Sequence, residues 1–365
     1  MQKSFKSGGK KSPVFANRSE GALTVLRSFE IASFKKIFLR AVVNDGIIRY
    51  IIIRENSKTF TESINEGRTA MNYYGEERQA LRANLHTHTT LSDGRLTPEK
   101  VIEAYASEGY DVLAITDHHQ VNDVTRWDNR GMILIQSAEL HPFLTPERGK
   151  WHLVALNLPL DFKCLRPFET GENAQQVIDA VAAAGGITAV AHPHWCAFSA
   201  EDIKDLTNYF ALEVYNTECE NFSRAYSVQT WDELLYKGKK VSAIAVDDMH
   251  RKSALFGGWT VICAKERTLE AVLDALKKGD FYSTQGPEFH TLGMEGNNVY
   301  AEFSESVRCS LVLKQSAKCL IIPQQNSPGT SAEFDLEPIR ANGGYARWVI
   351  ADAQGRSAWS NPIYF

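Results

Sequence analysis

The sequence predicts an α/β protein with a βα barrel, followed by a small all-β domain and preceded by a β-hairpin extension. Two observations carry this prediction. From residue 83 to about residue 285, short apolar runs alternate with amphipathic segments, and nearly all-apolar strands are typical of a parallel sheet covered by helices. After that point the helical periodicity disappears and short strands alternate with turns, which is typical of an antiparallel β-sandwich.

Residues 1–81 are expected to hold a basic tail, a β-hairpin and a linker. The first 20 residues are basic and polar, which predicts a flexible tail. Two β-branched runs surround Asn44-Asp45-Gly46, and an Asx-Gly pair tolerates the positive φ of a tight turn. This pattern predicts a hairpin at about residues 36–54. The polar stretch 57–82 is interpreted as an irregular or helical linker.

Residues 82–285 are expected to form the barrel. Thr97-Pro98-Glu99 predicts a helix start, with a capping residue, a proline at the first helical position and an acid near the positive end of the dipole. A second helix is predicted from about Asn173 to Ala184, where Gly185-Gly186 ends it, and a third at about 268–278. The predicted strands are ANLHTH, DVLAIT, MILIQSAEL, HLVALNL, ITAVAH, ALEVY, VSAIAVDD and WTVICA.

Residues 286–365 are expected to form a small antiparallel β-sandwich-like domain. Its predicted strands are VYAEF, CSLVLKQ, KCLIIPQ, AEFDL, YARWVIADAQG and SNPIYF. His290 lies in this region and is interpreted as structural.

Composition excludes several classes of function. The formal net charge of the 365 residues is −4, so no basic surface for long nucleic acids is expected. No apolar run approaches the roughly 18–20 residues of a transmembrane helix, and the N-terminus lacks the apolar core of a signal peptide. Six scattered cysteines favour a reducing compartment, although Cys309 and Cys319 could pair. We therefore expect a cytoplasmic protein without a membrane partner.

The ten histidines are concentrated in short clusters, and these clusters coincide with predicted strand ends, where carboxylates also lie. In a βα barrel the carboxyl ends of the strands form the active-site face. Residues i and i+2 of a strand point to the same side, so an HxH or DxH pair can converge. The residues at predicted strand ends are His86, His88, Asp117, His118, His119, Glu139, His141, His192, His194, Asp247, Asp248 and His250. Asp93 follows the first strand in the loop LSDG, and His152 opens the strand after Glu139.

This residue set predicts a site for divalent metal ions. Imidazole nitrogens and carboxylate oxygens are its ligands, and a carboxylate can bridge two ions. A set so rich in imidazole suits zinc, iron or manganese better than calcium or magnesium. A lone HxH pair is more often structural, but five strand ends that each supply a ligand favour a metal cluster.

The segment ANLHTHTTLSDGRLTPEKVIEAYASEGYDVLAITDHH resembles the opening of the PHP family, named for polymerase and histidinol phosphatase. The signature of that family is an HxH pair, an aspartate in an SDG loop, a helix and a TDH turn. Later positions agree with it in order, namely Glu139, His152, the AHP at His192 and the DDMH that holds Asp248 and His250. The resemblance spans roughly residues 82–285.

The resemblance implies a distorted (β/α)7 barrel that holds two or three divalent metal ions (zinc, manganese or iron). The implied ligand sets are His86, His88 and Asp248; Asp93, His118 and His250; and His152 and His192, with Glu139 bridging. The chain departs from the common family pattern at His119, His141 and His194. These three histidines are interpreted as lying behind the ligands or facing the substrate.

The implied activity is hydrolysis of a phosphomonoester, either a small phosphorylated metabolite or a nucleotide, by metal-bound hydroxide. His194 and His119 are candidates to protonate the leaving group, and Arg95 is a candidate phosphate-binding residue. Further cationic candidates are Arg126, Arg251 and Lys252.

Three alternatives remain open at the level of sequence. One is a phosphodiesterase or exonuclease that acts on short oligonucleotides. Only about 40 residues separate His152 from His192, and the open site mouth that we expect fits either a small phosphomonoester or the end of a short oligonucleotide. Another is an amidohydrolase-like metal hydrolase, since that class also starts from HxH on a barrel strand. The third is a non-catalytic, metal-stabilised module in which the β domain does the binding.

Overall fold

The computed structural model describes residues 70–145, 149–163, 173–314, 317–318, 329–340 and 343–365, together with four strands between residues 16 and 54. The chain forms two compact units, Met1–Arg68 and Thr69–Phe365. The second unit mixes strands and helices, as the sequence predicts. Within the described part, no helix is long and apolar enough to cross a membrane.

The first unit contains the predicted hairpin. Its strands are β1 (Ala16–Ser19), β2 (Ala22–Phe29), β3 (Ile37–Asn44) and β4 (Ile47–Arg54). β3 and β4 pair antiparallel with Asn44 opposite Ile47, which confirms the hairpin. The four strands form one sheet in chain order. The predicted tail is therefore wrong for β1, and residues 1–15 lie outside the described residues.

The predicted linker is wrong from residue 70 onward, because residues 70–84 form another hairpin. β5 (Ala70–Tyr73) and β6 (Glu76–Asn84) pair antiparallel. Tyr74 and Gly75 connect them with φ of 50° and 85°, the positive values that a two-residue hairpin turn requires. The many charged residues of β6 concealed the strand pattern. The rest of the predicted linker, residues 57–69, lies outside the described residues.

The second unit holds strands β5 to β24 and helices α1 to α6. After β6 the strands are β7 (Val112–Ile115), β8 (Ile133–Leu140), β9 (Phe143–Thr145), β10 (Gly149–Lys150), β11 (Leu153–Leu156), β12 (Ile187–Val190), β13 (Tyr209–Asn216), β14 (Ser242–Val246), β15 (Trp259–Ala264), β16 (Phe281–Thr284), β17 (Phe289–Glu295), β18 (Asn298–Ser306), β19 (Arg308–Leu313), β20 (Ala317–Lys318), β21 (Gly329–Asp335), β22 (Tyr345–Ala351), β23 (Ser357–Ser360) and β24 (Ile363–Tyr364). The helices are α1 (Pro98–Ser107), α2 (Ala174–Ala183), α3 (Ala200–Ile203), α4 (Val228–Tyr236), α5 (Leu269–Lys278) and α6 (Glu337–Arg340).

The predicted helix signals are confirmed at three helices. Thr97 occupies the N-cap position of α1 without a capping hydrogen bond from its side chain, and Pro98 is the first residue of the helix. Asn173 caps α2 through a capping box with Gln176, in which each side chain accepts a hydrogen bond from the backbone of the other. Thr268 caps α5. The apolar faces of these helices pack on the sheet, so the helices hold the strands in place from outside.

A ring of strands carries the polar strand ends. β6, β7 and β8 are parallel neighbours, and so are β12, β13 and β14. β11 lies between β8 and β12. The two ends of this series meet just beyond β6 and β14, where Asp248 N donates to His86 O at 3.0 Å and His88 N donates to Met249 O at 3.1 Å. The sheet therefore closes on itself.

The expectation of an entirely parallel sheet is wrong at β11. This strand pairs antiparallel with both β8 and β12. A parallel neighbour needs a crossover of roughly a dozen residues or more, usually through a helix, but the short β9–β10 hairpin occupies the connection from β8 to β11. The reversal places the start of β11, and His152 before it, beside the carboxyl end of β8. The complete (β/α)7 arrangement stays a prediction.

The C-terminal strands are mainly antiparallel, as predicted, and they continue the sheet of the same unit. β15 pairs with β6 and β16, and β16 pairs with β23. β17 to β22 bury an apolar core that includes Phe303 and Trp348. Cys309 is a buried free cysteine in this core, whereas Cys319 lies outside the described residues. The separate sandwich domain stays a prediction.

Arg347 ties β22 to helix α4 and provides a test of this packing. Its side chain is 1% exposed, its Nη2 donates to Asp232 Oδ1 at 2.6 Å, and its guanidinium lies 4.4 Å above the ring of Trp231. Arg347→Leu removes a charge-assisted hydrogen bond and the stacking contact, so we expect the free energy of unfolding to fall by about 2–3 kcal/mol.

The matched control is Arg130→Leu, because Arg130 pairs with Asp128 at 3.1 Å while both side chains are more than half exposed. Exposed pairs contribute at most about 1 kcal/mol. Urea denaturation of both variants measures the difference. Equal losses in the two variants would show that Arg347 does not stabilise the packing of α4 on β22.

Candidate metal centre

The nine predicted ligands converge at one end of the ring of strands. The carboxyl ends of β6, β7, β8, β12 and β14 and the amino end of β11 all lie there. Ligand atoms of three or four residues approach within 4.8 Å of one another in four overlapping groups. These groups are His88, Asp93, His118 and His250; His86, His88 and Asp248; His118, Glu139 and His141; and Glu139, His152 and His192.

Glu139 occupies the middle of the cluster and is 1% exposed. Its Oε1 lies 2.7 Å from His152 Nδ1 and 3.5 Å from His192 Nε2. Its Oε2 faces the other side, 3.3 Å from His88 Nε2 and 2.9 Å from His118 Nδ1. One carboxylate therefore separates two sets of imidazoles, which is the arrangement that a bridging ligand requires.

Asp248 contacts the HxH pair from the segment that follows β14. Its Oδ1 lies 3.2 Å from His86 Nε2 and 3.1 Å from His88 Nε2, and these two nitrogens are 3.1 Å apart. The backbone of Asp248 has φ of 52°, a value that costs free energy in a residue other than glycine. The surrounding hydrogen bonds hold this conformation, which aims the carboxylate at both imidazoles.

Asp93 completes the outer side of the cluster. It comes from the SDG loop, and about half of its side chain is exposed. Its two oxygens lie 3.4 Å from His118 Nε2 and 3.3 Å from His250 Nε2. The loop passes close to the HxH segment, because a Cβ added to Gly94 would lie 2.5 Å from His88 O. Only glycine fits at this position without a shift of the backbone.

The chemistry of the donor set fits divalent metal ions. Asp248 Oδ1 and His118 Nδ1 are buried without a hydrogen-bond partner, and leaving buried polar atoms unpaired costs free energy. Within the described part of the cluster, the carboxylates of Glu139 and Asp248 face imidazoles rather than lysine or arginine. A divalent cation would satisfy both the lone pairs and the negative charges.

The pKa shifts of the cluster reflect carboxylates that lie close to imidazoles instead of lysine or arginine. Burial lowers the pKa of His118, but its close contacts with the carboxylates of Asp93 and Glu139 raise it overall to about 10. Burial alone would raise the pKa of Asp248, yet the imidazoles of His86 and His88 hold it well below its usual range. Burial lowers the pKa of His152 to about 3. The raised pKa of His118 therefore reflects the carboxylates around it, and the lowered pKa of His152 favours its neutral form.

Glu213 is a buried residue of the site that the sequence analysis missed. It lies within β13 and is 0% exposed. Its Oε1 accepts a hydrogen bond from His86 Nδ1 at 2.6 Å, and its Oε2 accepts from the backbone of His192 at 2.8 Å and from Asn216 at 2.8 Å. A proton on Nδ1 leaves the lone pair of His86 on Nε2, which faces His88 and Asp248. Glu213 thereby orients one ligand and anchors another.

Glu213→Gln is expected to weaken metal binding about 10–100-fold, because carboxylates that orient metal-bound histidines typically contribute that much. The amide keeps the shape of the side chain but loses the charge. Isothermal titration of the metal-free chain with zinc measures the change. The control is Glu288→Gln, an exposed site before β17, and equal affinities in the two variants would contradict the orienting role.

Two further buried aspartates hold the loops that carry the ligands. Asp117 accepts hydrogen bonds from Thr89 N, Ser92 Oγ and Asn122 Nδ2 at 2.7–2.8 Å. Asp247 accepts from the backbone nitrogens of residues 256–258 at 2.8–3.1 Å, and burial raises its pKa to about 6. Both carboxylates therefore fix loop geometry, which explains why an aspartate precedes His118 and another precedes Asp248.

A cavity of about 330 Å³ opens beside the cluster. Its cationic residues are Arg95 and Arg251, and its apolar rim is formed by Trp195 and Phe222. The ring of Trp195 lies 5.4 Å from that of His152 and 5.1 Å from that of His192. Arg251 is paired with Glu218. The cavity therefore combines the candidate metal-binding cluster with two arginines on one part of its wall and flat apolar surface on another.

The other predicted site residues lie outside this cavity lining. His194 is exposed and its Nδ1 lies 3.1 Å from Tyr226 O. His119 has φ of 53°, and burial lowers its pKa to about 4. Arg126 is paired with Asp123 on the surface, and Lys252 is exposed. Their proposed parts in binding or proton transfer stay predictions, whereas Arg95 and Arg251 line the cavity.

Comparison with known proteins gives a family match and distant structural similarities. The family model described as the PHP domain matches residues 84–236, and no curated protein matches the chain. Among solved structures, the chain is similar to a two-domain protein from Bacteroides vulgatus containing a predicted PHP-like metal-dependent phosphoesterase, at 16% identity over 79% of this chain and 95% of that chain, with a TM-score of 0.45. It is also similar to an amidohydrolase from Chromobacterium violaceum with bound sulfate, at 15% identity over 46% and 87% of the two chains and a TM-score of 0.36.

Proposed function

We propose that this chain is a metal-dependent phosphoesterase that hydrolyses a small phosphomonoester, because residues 84–236 match the family model of the PHP domain. The observation that carries the proposal is the set of nine converging ligands beside a cavity with two arginines. Such a site would bind cations in its buried part and anions at its mouth. It suits a phosphate group, because phosphate oxygens can contact metal ions and guanidinium groups together.

The residues that would hold two or three divalent ions are the nine named above. Bound ions would supply Lewis acidity, which lowers the pKa of coordinated water and offsets negative charge on phosphoryl oxygens. The protein orients the ligands through Glu213 and fixes the ligand loops through Asp117 and Asp247. These contacts keep the cluster rigid while substrate binds.

Arg95 and Arg251 would bind the non-reacting phosphoryl oxygens. The backbone nitrogen of Arg95 donates to His250 O at 2.8 Å, so the segment that carries this arginine is tied to a ligand loop. Arg251 directly follows His250 and is oriented by Glu218. The backbone positions of both arginines are therefore fixed relative to the cluster.

A phosphomonoester is favoured over an oligonucleotide by the size and charge of the site. A volume of about 330 Å³ is at the small end of ligand cavities, which span roughly 300–1,000 Å³. The chain carries a net charge of −4, which does not favour a long polyanion. The apolar rim of Trp195 and Phe222 would contact the leaving group. We further propose a cytoplasmic location, supported by the four described cysteines being free.

The test is a substrate panel on the chain loaded in turn with manganese, zinc and iron. We expect turnover of p-nitrophenyl phosphate, with less turnover of its bis-ester and of short oligonucleotides. Activity restricted to amides and lactones would overturn the proposal in favour of an amidohydrolase. Arg95→Gln should raise KM for the phosphate monoester about tenfold, whereas the matched control Arg126→Gln should leave KM unchanged.

A further inference from the structure

His141 is a buried histidine whose imidazole is not accounted for by the nine predicted ligands. The residue is 8% exposed and lies just after β8, two positions beyond Glu139. Its Nε2 atom is buried and has no hydrogen-bond partner. Burying an imidazole nitrogen without a partner costs the free energy of its hydration, unless the nitrogen binds a ligand such as a metal ion.

The ring of His141 is held in place by three other imidazoles. It stacks on His152 with ring centres 3.9 Å apart and planes inclined by 27°. His118 and His119 contact it edge to face, at 4.6 and 4.7 Å. This packing restricts rotation of the ring, so the position of Nε2 is fixed before any ligand binds.

Nε2 of His141 faces the central carboxylate. It lies 3.6 Å from Glu139 Oε1, and it belongs to a group with Glu139 and His118 whose ligand atoms all lie within 4.8 Å of one another. His118 can take part through Nδ1, because its two nitrogens face different sides. A neutral imidazole offers one lone pair, so His118 would hold ions through both nitrogens only as an imidazolate that has released its remaining ring proton to water. Its Nε2 lies 3.4 Å from Asp93, while its Nδ1 lies 2.9 Å from Glu139 and has no hydrogen-bond partner.

We propose that His141 is a tenth metal ligand, which together with Glu139 and His118 binds a divalent cation on the β8 side of the cluster. Two imidazoles and one carboxylate are donors that suit zinc, cobalt or manganese. The proposal concerns metal binding alone, so it stands or falls independently of the phosphoesterase activity.

The first experiment measures metal binding directly. Metal-free wild type, His141→Ala and the control His290→Ala are titrated with Co²⁺, and bound cobalt is counted by elemental analysis. His290 is exposed on β17. We expect His141→Ala to lose one equivalent, or to bind it at least about tenfold more weakly, while His290→Ala matches wild type. Equal stoichiometry and affinity in all three chains would overturn the proposal.

The second experiment uses a spectroscopic signature that packing alone cannot produce. In His141→Cys a thiolate replaces the imidazole, and a thiolate bound to Co²⁺ gives an intense charge-transfer band in the near ultraviolet. We expect this band in His141→Cys, above the wild-type background, and no increase in His290→Cys. Absence of the band from a folded, cobalt-loaded His141→Cys would count against direct ligation.

A measurement on the unaltered chain covers the case in which the variants do not fold. Crystals of the cobalt-loaded wild type give an anomalous difference map. A peak about 2.0–2.3 Å from His141 Nε2, the range of metal–nitrogen bonds, supports the proposal. A loaded centre in which every peak lies beyond bonding distance of this nitrogen overturns it.

Discussion

Asp248→Asn is expected to lower kcat/KM for a phosphate monoester by roughly a thousandfold or more, the scale of losing a principal electrostatic contact at a catalytic centre. Asp248 is the carboxylate that both histidines of the HxH pair contact, at 3.2 and 3.1 Å. Asparagine keeps the size of the side chain and removes the negative charge. The metal content of the purified variant is expected to fall together with its activity.

The control is Asp161→Asn, which removes an equal charge at an exposed position after β11. Elemental analysis and steady-state kinetics are run on both variants under the same metal loading. Retention of both metal and activity in Asp248→Asn would show that the cluster described here is not the active site. Retention of metal with loss of activity would instead show that Asp248 contributes to the reaction and is not needed for metal binding.

Removal of metal is expected to produce the largest change in stability. A ligand that binds only the folded chain stabilises it by about 4 kcal/mol at a free concentration one thousand times its Kd. At about 2–4 °C per kcal/mol for a chain of this order of size, chelation should lower Tm by roughly 10 °C for each ion lost. Zinc or manganese should restore Tm, while magnesium should do so less well because the site is rich in imidazole.

The same experiment has a pH dependence with a definite sign. In the metal-free chain the pKa of His118 is raised to about 10, so its proton stabilises the fold below the unfolded value of about 6.5, and this contribution is lost as pH rises through about 10. A metal ion has to displace that proton. The rise of Tm on adding zinc should therefore grow between about pH 6 and pH 8, and a constant rise would contradict proton competition.

The ligands could be predicted from the sequence because their signals are local. His86 and His88, or Asp248 and His250, are neighbours two positions apart, and alternation along a strand is enough to bring each pair to one side. Helix caps such as Asn173 are equally local. For these features no knowledge of the remaining chain was needed, and the structure brings all nine candidate residues together.

The reversal of β11 could not be predicted in this way, because strand direction depends on pairing with β8 and β12. In an all-parallel sheet His152, at the start of its strand, would lie at the end opposite to Glu139. The antiparallel pairing places Val154 opposite Glu139 and thus returns His152 to the cluster. Its position as a ligand followed from the family resemblance, and the sheet topology supplies the physical reason.

The sequence marks Glu213 as unusual without showing its role. This residue is the only acid in the apolar run ALEVY, and a charged residue in a buried strand needs a partner. That partner is a histidine 127 positions earlier, so the sequence could mark the residue but not identify its role. The unpaired nitrogen of His141 belongs to the same category, because only packing reveals that it has no partner.

The position of Trp195 makes the cavity observable by fluorescence. Its indole is 37% exposed beside two imidazoles of the cluster. Trp127 and Trp259 are partly buried, and Trp151, Trp231, Trp348 and Trp359 are at most 4% exposed. Paramagnetic ions quench an indole at short range, so loading with Mn²⁺ should preferentially dim the red-shifted part of the emission that a partly hydrated indole contributes. Trp195→Phe should remove this response and leave the emission of the buried indoles. The chain thus carries a built-in optical reporter of metal occupancy.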